Sequence, residues 1–150
     1  MKRHINHQFS FPHPPELVWE YLTKSELMAL WLMKNNFEPV VGHDFQFRTG
    51  PIASLDFDGI FHCKVLEVAP FTRLSYSWGS GPGEGVITLD SVVVWQLQAT
   101  DKGTDVTLEH SGFHKPENEA FYNGLNHGWV EKFDTIAKLL NEAQHDSTSV

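Results

Sequence analysis

The chain has 150 residues, 41% of them hydrophobic and 13% aromatic, enough for one compact domain that buries roughly 70% of the surface of its unfolded form. Nineteen acidic against eleven basic side chains give a formal charge of −8, a field that repels phosphate backbones and anionic headgroups and argues against a nucleic-acid partner. Cys63 is alone, no stretch approaches the ~20 apolar residues of a membrane span, and the start "MKRHINHQFSF" lacks the apolar run of a signal peptide. These features point to a cytoplasmic protein without disulfides or membrane insertion.

"RHINHQFSF" alternates, with Ile5, Phe9 and Phe11 on one face and His4, Asn6, Gln8 and Ser10 on the other, the period of a half-buried strand. "PHPPELVWEYLT" changes period: Pro14, Pro15 and Glu16 open a short helix whose Val18, Tyr21 and Leu22 share a stripe, leaving Trp19 off it. Ser25 is the expected cap of a second short helix, "ELMALWLM", with Leu27, Leu30 and Trp31 at helical spacing. After Gly42 the pattern is strand and turn. "DFQFRTG" turns Phe45 and Phe47 one way, and "GIFHCKVLEVAP" runs to Pro70 with a parity that Gly59 leaves open. "RLSYSWG" groups Leu74, Tyr76 and Trp78, "SVVVWQLQAT" groups Val93, Trp95 and Leu97, and "GTDVTLEHSGF" groups Val106, Leu108 and His110. Pro116 and Glu117 then start a long helix to about Ala143, with Leu125, Trp129, Phe133, Ile136 and Leu140 in one stripe. The polar end, residues 144–150, is expected to be a disordered tail after a single domain, 1–143.

Short turns favour consecutive antiparallel pairing, so the expected fold is α+β: a curved antiparallel sheet of about six strands wrapped on a long C-terminal helix, with two short helices after the first strand. One helix does not tile six strands without gaps. A cavity between concave sheet and helix follows, lined by Phe45, Phe47, Tyr76, Trp78, Trp95, Leu108, His110, Phe113, Leu125, Trp129 and Phe133, with Trp31 from the second short helix.

The segments "HPPELVWEYLT", "MALWL", "VVGHDFQFRTG", "KVLEVAPFTRLSYSW", "SVVVWQLQ", "GTDVTLEHSGF" and "HGW" before a leucine-rich helix resemble, in this order over residues 3 to 142, the START-like (SRPBCC) superfamily. Within it they are most similar to the branch related to the C-terminal domain of the activator of the heat-shock-protein-90 ATPase. The resemblance implies the helix-grip fold and an internal cavity that in many relatives takes hydrophobic small molecules or lipids. It hands over no catalytic residue. Activators of the chaperone pair this domain with a separate N-terminal one; nothing here precedes residue 1, which weakens the expectation of chaperone contact.

The histidines of "LEHSGFHKPENEAFYNGLNHGW", His110, His114 and His127, show no recurring zinc-ligand spacing, so no metal or other cofactor is assigned. Inward His110 either bonds a ligand's polar end or is a satisfied core histidine. "GSGPGEG" lacks the Gly-Lys-Ser/Thr ending of a phosphate loop and carries Glu84, so it reads as a connection between strands. Asp56, Asp58, His62, Glu109 and His110 share no catalytic spacing. Gly124 and Gly128 suggest a bend, or close approach of the helix to ligand or sheet. The leading expectation is binding of a hydrophobic or amphipathic small molecule. The alternatives are a polyketide-cyclase or dehydratase-like enzyme with His110 or Tyr76 as acid or base, and a protein-interaction module related to the chaperone activators.

Overall fold

The computed structural model describes the backbone of residues 3–148 and the side chains of residues 4–143. Strand β1 (Arg3–Phe11) leads into helices α1 (Pro15–Thr23) and α2 (Ser25–Trp31). There follow β2 (Lys34–Asn35), β3 (Asp44–Arg48), β4 (Ile60–Ala69), β5 (Arg73–Ser80), β6 (Leu89–Thr100) and β7 (Gly103–Phe113). A 3₁₀ turn at Pro116–Asn118 then opens α3 (Glu119–Thr148). The tail expected from residue 144 falls where side chains lie outside the description.

The strands form one antiparallel sheet in the order β1-β7-β6-β5-β4-β3-β2. From β2 onward each strand pairs with the next, because the connections are too short for anything but hairpins. β1 closes on β7 at the opposite edge, and α1 and α2 carry the chain from one edge to the other. The architecture is the expected α+β one, with six substantial strands and, in addition, the two-residue β2 that hydrophobic alternation is too short to reveal.

Period-2 alternation places the core. Ile5, Phe45, Phe47, Tyr76, Trp78, Val93, Trp95, Val106, Leu108 and His110 all turn to the face that α3 covers, and all are buried. The parity around Gly59 is settled too: Gly59 precedes β4, and within β4 Phe61, Cys63 and Val65 are buried while His62 is exposed. The opposing face of α3 supplies Trp129, Phe133, Ile136 and Leu140 at i, i+4, i+7 and i+11, with Leu125 half-buried at the end of the stripe.

Three local expectations are corrected. In α2 the buried residues are Met28 and Trp31, and Leu30 is exposed. Ser25 does not cap α2; the N-cap is Lys24, and the Ser25 hydroxyl donates to the Asn35 carbonyl at 2.9 Å, tying α2 to β2. Trp19, although off the α1 stripe, is buried edge-on against Phe71 in the β4–β5 turn, with ring centres 6.2 Å apart.

Gly124 and Gly128 also differ from the close approach expected of them. A Cβ at either would meet nothing within 4 Å. Neither glycine is needed for close approach in this state, and each lowers helix stability by ~1 kcal/mol relative to alanine. Gly128→Ala is therefore expected to stabilise the protein by about 1 kcal/mol in urea unfolding; a destabilised variant would show that something packs there. No helix among the described residues is long and apolar enough to cross a membrane.

Candidate functional site

The residues predicted to line the space between sheet and helix do converge there. Trp95 of β6 and Trp129 of α3 face each other edge to face with ring centres 5.7 Å apart, Trp78 of β5 meets Trp129 at 5.6 Å, and Trp31 of α2 meets Trp95 at 5.8 Å. Phe133 lies 5.7 Å from Trp95, Phe47 lies 5.2 Å from Trp78, and Phe45 and Tyr76 pack edge to face at 5.4 Å. Phe113 packs on His110 at 4.9 Å, with Leu108 buried on the same face of β7. Of the twelve, Leu125 alone is partly exposed; the other eleven show 2% exposure or less. The cluster is shut off from solvent, and its rings hold one another in the offset and edge-on geometries that aromatic quadrupoles favour.

Polar groups thread this aromatic mass in a defined order. Trp129 Nε1 donates to His110 Nδ1 at 3.2 Å, which requires Nδ1 to carry the lone pair and Nε2 the proton. His110 Nε2 then donates to Ser91 Oγ at 2.8 Å, and Ser91 Oγ donates to the Trp78 carbonyl at 2.7 Å. Every hydrogen has an acceptor, and one tautomer satisfies the whole chain. Burial pushes the His110 pKa down to about 3, so the ring is neutral at physiological pH. The bland reading of His110, a satisfied core histidine, therefore describes it in this state, with both nitrogens occupied.

Gly112 makes that chain possible. At φ 119° it sits where β7 presses onto β6, and a Cβ there would come within 2.7 Å of Ser91 Cα. A side chain would push Ser91 away from His110.

Tyr76, the other candidate acid, accepts a hydrogen bond from Trp95 Nε1 at 3.0 Å. Burial raises its pKa well above the ordinary phenol value, a rise offset in part by the Trp95 donor and reinforced by nearby Cys63. The Cys63 thiol is likewise pushed up by burial. Neither is poised to ionise near neutrality.

The remaining candidates are scattered. Glu109 points to the opposite face of β7 from His110, and Asp58 accepts the backbone N–H of Ile60 at 3.1 Å beside the loop that follows β5. His127 is exposed and pairs with Glu131 at 3.3 Å. Among the described residues no three His, Cys, Asp or Glu side chains come together as a metal site. Ser91 was missed from sequence, although the parity of Val93 and Trp95 extends back to it. A serine at a core position needs a partner, and that was the available signal.

Residues 12–141 match the family described as Activator of Hsp90 ATPase homolog 1-like protein. The chain belongs to this family. A Mesorhizobium loti protein of known structure is 35% identical, with a TM-score of 0.82 over 93% of this chain and 98% of that one. The Aha1 dimer from Colwellia psychrerythraea is 21% identical, with a TM-score of 0.72 over 92% of this chain and 96% of its own. A protein of the dynemicin biosynthetic locus is 23% identical, with a TM-score of 0.74 over 92% of this chain and 47% of its own. The last two establish likeness of fold alone. No curated protein matched the chain. Membership in the family fits the helix-grip architecture, in which the aromatic side chains gather between the sheet and α3.

Proposed function

We propose that this member of the family binds a hydrophobic or amphipathic small molecule among the rings between the sheet and α3. The observation that carries the reading is the convergence of aromatic side chains from α2, β3, β5, β6, β7 and α3 on one enclosed region. The region has hydrogen-bonding groups set into it and no charged side chain among its buried residues. Such a surface gives large contact area to a flat apolar molecule, with a few polar atoms to orient it. That a protein of similar fold comes from the dynemicin biosynthetic locus is in keeping with a small-molecule ligand.

Acid–base catalysis on His110, as in a cyclase, would first require one of its two hydrogen bonds to break, and its lowered pKa makes it a weak base. Binding therefore stands ahead of catalysis. Chaperone contact has only the family description behind it. A cytoplasmic location accords with a cysteine usage of one, Cys63.

Native mass spectrometry of the purified protein, together with thermal unfolding in the presence of naphthalene-type aromatics, tests the binding. A probe at about a hundredfold its Kd adds ~2.7 kcal/mol of apparent stability, which for a chain of this size raises Tm by roughly 5–10 °C. The same probe is expected to give a smaller shift in Trp95→Phe and an undiminished one in Trp19→Phe, whose ring lies against Phe71. No retained molecule, and no Tm increase with any aromatic tried, would require the proposal to be withdrawn.

A further inference from the structure

β5 turns Tyr76, Trp78 and Ser80 inward at successive alternate positions, roughly 7 Å apart, and all three are fully buried. Two of them have hydrogen-bonding capacity that the described residues do not use. Trp78 Nε1 and Ser80 Oγ have no partner among the described residues, and the Tyr76 hydroxyl accepts from Trp95. Roughly nine in ten buried polar groups in proteins are paired, so two orphans at consecutive inward positions of one strand mark a place where a partner from outside the chain belongs. The third unpaired buried atom, His13 Nδ1, lies elsewhere, in the link between β1 and α1, where the other ring nitrogen bonds Asn141.

The surroundings specify the partner's chemistry. Trp78 Nε1–H is a donor only, so what meets it is an acceptor. No Lys or Arg is buried among the described residues, so a carboxylate or phosphate placed here would meet no cation of theirs; a neutral acceptor fits. The Trp78 ring packs with Phe61, Phe47 and Trp129 at centroid distances of 4.5, 5.2 and 5.6 Å, so the surroundings of its N–H are aromatic and a ligand body of the same kind suits them. We propose that the inner face of β5 is the polar edge of the ligand site, and that the ligand is an aromatic ketone whose carbonyl oxygen accepts the Trp78 indole N–H. A second oxygen on the same edge lies within the compass of Ser80. This rests on the binding proposed above and narrows it to oxygenated aromatics.

The test compares 2-acetylnaphthalene with 2-isopropenylnaphthalene, in which a CH₂ replaces the carbonyl oxygen and the shape is kept. A hydrogen bond to an otherwise unpaired buried donor is expected to make the wild type bind the ketone about tenfold more tightly than the hydrocarbon. Trp78→Phe keeps a ring, removes the N–H and should erase that preference; the ketone-to-hydrocarbon ratio, not the affinity for either probe, is the quantity read. A ratio that is the same in both proteins overturns the assignment. In ¹⁵N-tryptophan wild-type protein, one indole N–H resonance should move downfield with the ketone and stay with the hydrocarbon; absence of that movement overturns it whether or not the variant folds. Equal binding of the two probes by wild type would leave the proposed apolar site standing and remove the β5 assignment, whereas no binding of either would remove both.

Discussion

Trp129→Ala should destabilise the fold by ~4–5 kcal/mol, at the upper end of the range for removing a buried aromatic side chain. The ring is 1% exposed and packs edge-on against both Trp78 and Trp95, so its removal leaves a void bounded by stiff rings that do not collapse easily. It also strips the donor from His110 Nδ1, leaving a buried acceptor unpaired. Urea unfolding is the measurement: the midpoint should fall with the slope unchanged. Trp129→Phe separates the two contributions, since it refills most of the space but not the hydrogen bond, and should cost ~1–3 kcal/mol. A loss below ~2 kcal/mol for the alanine variant would mean that α3 is not clamped to the sheet by this ring.

The second large effect is acid sensitivity. The His110 pKa lies at about 3 in the fold against 6.5 for an unperturbed histidine, because burial disfavours the imidazolium. Between those values the unfolded chain binds a proton that the folded one refuses. Stability contributed by neutral His110 is thus fully present above pH 6.5 and is lost progressively as the pH falls toward 3, by an amount on the order of 5 kcal/mol. The hydrogen-bond order gives the same sign, since a proton on Nδ1 would face the Trp129 indole N–H. Carboxylates titrate in the lower part of this window as well, so the informative quantity is the difference from His110→Gln. The wild-type curve should be steeper by up to one proton, and parallel curves would mean that His110 takes up its proton without unfolding.

Much of this site was legible from alternation alone. Val106, Leu108 and His110 share a strand face, and Trp129 and Phe133 share a helix face, so the side chains that meet could be named before their meeting was seen. What alternation does not carry is pairing. The Trp129–His110–Ser91–Trp78 chain joins α3, β7, β6 and β5, and hydrogen-bond order across separate elements has no signature in a one-dimensional pattern. Leu30 and Met28 were exchanged because α2 is only seven residues long, too short for spacing to choose its buried side. Ser25 was read as a cap because its residue type suits one, but the nearby carbonyl of Asn35 claims its hydroxyl. The idle capacity of Trp78 and Ser80 is likewise invisible until every neighbour is placed.

The two glycines of α3 bear on time rather than affinity. With the rings sealed from water, a molecule of the proposed class reaches them only while part of the wall is briefly open. Gly124 and Gly128, one turn apart and with empty space where their side chains would be, together remove ~2 kcal/mol of helix stability from the first half of that wall. Opening is then a local fraying of α3, separate from unfolding of the sheet. For a ligand of the proposed class, uptake is expected to be gated: its observed rate should level off at the opening rate as ligand concentration rises, and a molecule once enclosed should leave at the pace of the helix rather than of diffusion.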